Sequence, residues 1–187
     1  MDKLQPQTGR VLISDPFLRD PNFSRTVVLL TEHSEEGTVG FVLNNPLDLS
    51  LKKILKDHQL PAHTIYQGGP VELNTLHFIH SLGQIVPDSQ QVARGIWWGG
   101  NFEEALKLIR RNDELIDHFH FYLGYSGWSA GQLDDELKED AWLVSNINAE
   151  QIFDPKVSTP ELWKSLMDGL GGEFKYLSNS PIDPQLN

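Results

Sequence analysis

The sequence predicts a mixed α+β fold in one domain. Two observations carry this. Short β-branched and aromatic runs neighbour one another in the first half, and helical patterns separate them in the second, with no strict strand–helix–strand period. At 187 residues the chain suits one domain, and no internal repeat, low-complexity segment or linker divides it. The ordered core is expected over about residues 9–170, and the tail SNSPIDPQLN (178–187) reads as irregular.

The elements follow in chain order. GRVLIS (9–14) is a first strand, followed by a loop punctuated by Pro and Asp, DPFLRDPNFSR. TVVLLT (26–31) is apolar on both faces and suits a central, fully covered strand. After EHSEEG, TVGFVLN (38–44) makes a hairpin the expected connection. DLSLKKILKD is a short amphipathic helix, TIYQGGP a strand running into a turn, and TLHFIHSLG (75–83) a further strand. GIWWGG is a strand stopped by two glycines; of its adjacent Trp97 and Trp98, one should face away from the core into a cleft or an interface. Phe102, Ala105, Leu106 and Ile109 then fall on one helical face, with Asn101 placed to cap the helix and Glu104 at its third position. In HFHFYLGY, Phe119, Phe121, Leu123 and Tyr125 alternate with His118, His120, Tyr122 and Gly124, a strand with an apolar and a more polar side. AWLVS (141–145) is the next strand, and a last helix starts near Pro160, carries Leu162, Trp163 and Leu166, and ends around Gly169.

Composition excludes several function classes. There is no cysteine, which removes disulfides and thiolate metal sites. The start, MDKLQPQTGR, lacks the apolar core of a signal peptide, and no stretch approaches the ~20 apolar residues of a membrane span, so the cytoplasm is the expected compartment. With 15 basic against 26 acidic residues the net charge is −11. Lys52, Lys53 and Lys56, and Arg110 with Arg111, are the densest basic runs, and each reads as a solvated helix face. Direct nucleic-acid binding is not expected, because phosphate neutralisation needs a basic surface.

GWSAG (127–131) has the G-x-S-x-G spacing of a hydrolase nucleophile elbow. That reading requires a triad in the order Ser, acid, His, whereas all seven histidines (33, 58, 63, 77, 80, 118, 120) precede Ser129 and no HGGG-like oxyanion loop is present. A helix start explains more residues: Ser129 and Gln132 have capping-box spacing, and Trp128 with Leu133 that of a hydrophobic staple. Leu133, Leu137 and Ala141 continue one face. Ser129 is therefore expected to cap, with the alternative of a hydrolase using Ser129 and an upstream histidine. His118 and His120 share one side of a strand while His77 and His80 face opposite ways, a weak metal pattern, so no metal or cofactor is expected. Glu103 and Glu104 would repel an anion from the helix start after WWGG, and DDELKED (134–140) reads as a solvated face.

GRVLISDPFLRDPNFSRTVVLLTEHSEEGTVGFVLNNP (9–46), YQGGPVE (66–72) and GYSGWSAGQLDDEL (124–137), with AWLV (141–144) following, resemble the YqgE/AlgH family of bacterial proteins over about residues 9–170. The resemblance implies a bifurcated sheet, mixed and antiparallel, folded into a pseudo-barrel with flanking helices. It also implies an elbow pattern GW-x-x-GQL that fixes Gly127, Trp128, Gly131, Gln132 and Leu133 and leaves position 129 free. The family carries a transcriptional-regulator label and has no established reaction. Asp15, Pro16, Phe23, Arg25, His33, Gly40, Asn44, Pro46, Gly68, Gly69, Pro70 and His80 match its signatures. The glycines and prolines have backbone explanations; Arg25, His33, Asn44 and His80 are polar groups beside apolar strands and need partners. If they converge, they line a pocket with Gly68, Gly69, Trp128 and Gln132. The expected function is a non-enzymatic domain binding a small ligand or a protein partner, with any regulatory effect indirect.

Overall fold

The computed structural model describes residues 4–154 and 161–180. The predicted helix start near Pro160 and the tail beyond Ser180 lie outside the described residues. Ten strands form one branched, mostly antiparallel sheet in the order β10-β1-β2-β3-β9-β6-β8-β7, with β4 and β5 leaving the path at β9. The strands are β1 (Val11–Ser14), β2 (Val27–Ser34), β3 (Gly37–Val42), β4 (Pro46–Ser50), β5 (Thr64–Gln67), β6 (Val71–His80), β7 (Gln90–Ala93), β8 (Ile96–Trp98), β9 (Phe119–Ser129) and β10 (Trp142–Ser145). The expected bifurcation is present. The sheet is not closed into a barrel, because β10 and β7 end the path without pairing to each other.

The branch point is β9. Its first half lies between β6, antiparallel, and β5, parallel, while Ser126–Ser129 pair with Gly40–Gly37 of β3. Both faces of this first half are covered by core clusters, which departs from the polar side expected for His118, His120, Tyr122 and Gly124. Phe119 and Phe121 pack in one core cluster and the fully buried Tyr122 in another. The alternation then resets at Gly124, whose φ of 66° no side-chain-bearing residue adopts readily. Tyr125 consequently joins the Tyr122 cluster, and Trp128 a third. His118 closes a 3-10 turn (Asp113–His118) before the strand begins, so it does not share a strand face with His120.

Helices α1 (Leu51–Leu55), α2 (Phe102–Arg111), α3 (Gln132–Lys138), α4 (Ala149–Phe153), α5 (Leu162–Leu170) and α6 (Gly172–Leu177) flank the sheet. Asn101 caps α2 as expected, its side chain accepting from the Glu104 amide at 3.1 Å. Ala105, Leu106 and Ile109 of α2 pack on Phe119 and Phe121. Leu162, Trp163, Leu166 and Met167 of α5 cover β1 and β2 on the opposite cluster, and the Trp163 indole donates to the Ser14 carbonyl at 3.0 Å. Trp98 packs in that same cluster, while Trp97 lies beside Gly83. No helix among the described residues is long and apolar enough to cross a membrane.

The turn between β5 and β6 passes so close to β9 that only glycine fits. Gly69 has a φ of 156°, and a Cβ there would sit 2.2 Å from the Tyr125 carbonyl oxygen. Relief would require moving the central strand. Gly69→Ala is expected to remove about 3 kcal/mol of stability or more, a fall in Tm of roughly 6–12 °C for a domain of this size. Thermal unfolding followed by circular dichroism checks it, and an unchanged Tm would show that the turn can yield.

Candidate functional site

The elbow is built differently from either expectation. β9 continues through Ser129, which pairs with Gly37, so the helix cannot begin there. Gly131, at a φ of 76°, precedes α3, and no side chain caps that helix start. The Ser129 hydroxyl donates to Gln132 Oε1 at 3.3 Å, and the same oxygen accepts the Ser129 amide at 3.0 Å. Only the glutamine half of the expected capping box is formed. The nucleophile reading lacks its base as well: Ser129 has no histidine partner, and His33 Nδ1 is engaged with Thr38 Oγ1 at 2.7 Å.

What holds α3 to the sheet is Glu136, hidden in the sequence within an acidic run. Its Oε2 accepts the indole N–H of both Trp128, at 2.9 Å, and Trp142, at 2.7 Å. Its Oε1 accepts the Gln132 amide at 3.0 Å. Phe23 stacks on Trp128 and meets Trp142 edge-on, with ring centroids 6.0 and 5.3 Å apart. Leu133 and Leu137 pack on this aromatic group as their spacing predicts; Ala141 joins them from beyond the end of α3 rather than from its face.

The other expected site residues do not converge. Asn44 is consumed by the backbone: Oδ1 accepts the Val27 amide at 2.9 Å and Nδ2 donates to the Arg25 carbonyl at 2.9 Å. Arg25 itself, at a φ of 53°, lies over the Trp163 ring, its Cζ 5.0 Å from the centroid. His80 is fully buried and accepts the Leu82 amide at Nδ1, which leaves the proton on Nε2 to donate to the Gly99 carbonyl at 3.2 Å. Gly68 carries backbone bonds to Val42 and Leu123, and its carbonyl also accepts the Ser126 hydroxyl. Gly69 is fixed against Tyr125, and Gln132 sits on the exposed side of the elbow.

His33 and Trp128 do meet, in a groove beside the β2–β3 hairpin. This groove of about 680 Å³ runs along the turn end of the β2–β3 hairpin, between Thr8, Gln90 and the second half of β9. Its register follows from the strand pairing: His33 opposes Thr38, which opposes Trp128. Thr31, Glu32, Glu36, Thr38 and Tyr125 complete the working surface, two hydroxyls, two carboxylates and a phenol around one imidazole. A smaller pocket of about 260 Å³ adjoins it through His33, Ser34, Gly37 and Thr38 and reaches Ser129 and Asp134. Among the described residues no three His, Asp or Glu side chains are grouped to hold a metal.

Burial sets the protonation of the interior. Desolvation pushes the His63, His77 and His80 imidazoles below their usual range, and His120 down to about 3, with the neighbouring His63 adding to it. Tyr122 is pushed the other way by its complete burial and stays a neutral phenol. His120 stacks parallel on Tyr66 at 5.2 Å and meets Phe153 edge-on, a setting for a neutral ring.

The AlgH-like family model, DUF179, matches residues 11–175. A UPF0301 protein of Cytophaga hutchinsonii is 39% identical over 181 residues, covering 96% of this chain and 98% of that protein. One from Parabacteroides distasonis is 40% identical over 184 residues, 97% of this chain and 92% of that protein. The solution structure of the AlgH protein from Pseudomonas aeruginosa is 30% identical, with a TM-score of 0.73 over 97% of this chain and 98% of that one. A crystal structure of a Corynebacterium diphtheriae protein, 21% identical, shares the fold, with a TM-score of 0.81 over 96% of this chain and 95% of that one.

The elbow and the buried histidines each make a measurable demand. Glu136→Ala strands two indole N–H groups and should destabilise the fold by about 2–4 kcal/mol, whereas Ser129→Ala should change stability by less than about 0.5 kcal/mol. Urea unfolding monitored by tryptophan emission separates the two, and equal effects would contradict this division of roles. A histidine with a depressed folded pKa leaves the unfolded chain binding the extra proton in acid. Stability from His120 is therefore complete above pH ~6.5 and falls by about 1.4 kcal/mol per pH unit down to about pH 3. His120→Phe should flatten the pH dependence of unfolding free energy in that window; an unchanged slope would refute the assignment.

Proposed function

The chain belongs to the AlgH-like family, and we propose that it is a non-enzymatic binding domain whose hairpin groove takes a small polar ligand. The observation that carries this is the groove itself. Its volume of about 680 Å³ falls inside the range of small-molecule sites. Its lining mixes hydroxyl, carboxylate and imidazole groups with the Tyr125 ring, a set suited to orienting a polar molecule rather than to cleaving one. The adjoining Ser129 donates its proton to an amide oxygen and has no base to activate it. Any regulatory effect is indirect in this reading. Glu32, Glu35 and Glu36 border the two concavities, and they would repel a phosphate backbone.

A thermal-shift screen of the purified chain against metabolites, nucleotides and divalent metals tests the proposal. A ligand at about 100 times its Kd adds about 2.7 kcal/mol, a rise of roughly 5–10 °C for this size. The rise should disappear in Glu32→Gln/Glu36→Gln and in His33→Ala, which alter exposed or half-buried groove residues. A hit indifferent to all three substitutions would move the site elsewhere. A fluorophosphonate probe should leave Ser129 unmodified, and stoichiometric labelling there would restore the hydrolase reading.

A further inference from the structure

We propose that a separate pocket, where the β1–β2 loop meets α5 and α6, binds a phosphate-type dianion through Arg25 and Lys164. The pocket has a volume of about 320 Å³ and is lined by Arg25, Glu161, Trp163, Lys164, Ser178 and Asn179. It shares no residue with the hairpin groove and stands independently of that reading.

Three observations carry the assignment. First, the Arg25 guanidinium is held in place before any ligand arrives. Its plane lies near the Trp163 ring, Nη2 donates to the Ser180 carbonyl, and the loop that carries it is pinned by both bonds of Asn44. Second, Arg25 Nε is buried with no hydrogen-bond partner. Native folds satisfy nearly all buried donors, and a ligand oxygen is the simplest missing partner for one that borders a pocket. Third, among the described residues neither Arg25 nor Lys164 forms an ion pair, although acids outnumber bases 26 to 15 along the chain.

The chemistry of the donors selects the class. The unpartnered Arg25 Nε–H offers a directed, charge-assisted donor to an anion oxygen, and the Lys164 ammonium adds a mobile point charge. Two cations match a doubly charged headgroup better than a monocarboxylate. Ser178 contributes shape only, since its hydroxyl is committed to Asp168 and the Lys175 carbonyl. Glu161 opposes binding from the exposed rim, where solvent and salt weaken it.

The test is an NMR titration of the full chain with inorganic phosphate and, separately, glycerol 3-phosphate. The Arg25 Nε–H and the Lys164 backbone amide are the reporters. Saturable shifts of both are expected with at least one probe, and the preferred probe tells free phosphate from a phosphate monoester. Calorimetric Kd should weaken about tenfold in Arg25→Lys, which keeps charge and loses the planar fork. It should weaken about three- to tenfold in the half-buried Lys164→Gln and tighten in Glu161→Gln. A purely structural Arg25 would not produce the opposite signs at 164 and 161. No saturable shift up to about 10 mM of either probe, or a Kd unmoved by Lys164→Gln and Glu161→Gln, would overturn the proposal.

Discussion

Eleven residues of β9 hydrogen-bond to three other strands, and the geometry of that one segment dictates most of what surrounds it. β9 is paired on both edges and covered on both faces along its first half, and Phe119, Phe121 and Tyr122 divide between two separate core clusters. Gly124 then turns the alternation over, which lets Tyr125 face the hairpin groove while Trp128 packs beneath it. The glycines of the β5–β6 turn have to admit this backbone at contact distance. A groove with a fixed tyrosine wall is thus a by-product of the branch in the sheet.

The polar residues beside the apolar strands divide by what they satisfy. Asn44 and His80 serve the main chain, each bonding a backbone donor and a backbone acceptor, and both ring nitrogens of His80 are used in doing so. Arg25 and His33 keep part of theirs. They lie at opposite ends of β2, where the sheet gives way to loops, so the scaffold offers two separate sites rather than one convergent pocket.

Much of the fold is legible in the sequence because burial leaves a periodic trace. β1, β2, β10 and the capped α2 stand where apolar runs and the Asn101 spacing put them. β4 and β7, PLDLS and QQVA, are not legible because they are short and mostly exposed, and their strand character comes from pairing, β4 with the distant β5 and β7 with the adjacent β8. α4 does leave a signal, the Asn148–Gln151 capping box, in a stretch too short to show a helical period. At the elbow the Ser129–Gln132 spacing points to a cap, and tertiary pairing with Gly37 takes the serine for the strand instead. The groove is the least legible part. Thr8, His33, Gln90 and Tyr125 come together only through sheet order, and Glu136 in DDELKED differs from its acidic neighbours only by what it reaches.

Glu136 ties together positions that selection cannot treat separately. One carboxylate oxygen serves two indoles from different strands, so a change at 136 alters the demands on 128 and 142 at once. Loss of one tryptophan leaves the acceptor half used, and loss of the acid orphans both rings, so the energies of the three substitutions do not add. Across homologous chains the three sites are expected to drift as a linked set, with the acid surviving wherever both indoles do. The elbow would then keep its shape through a constraint invisible to any single column of residues.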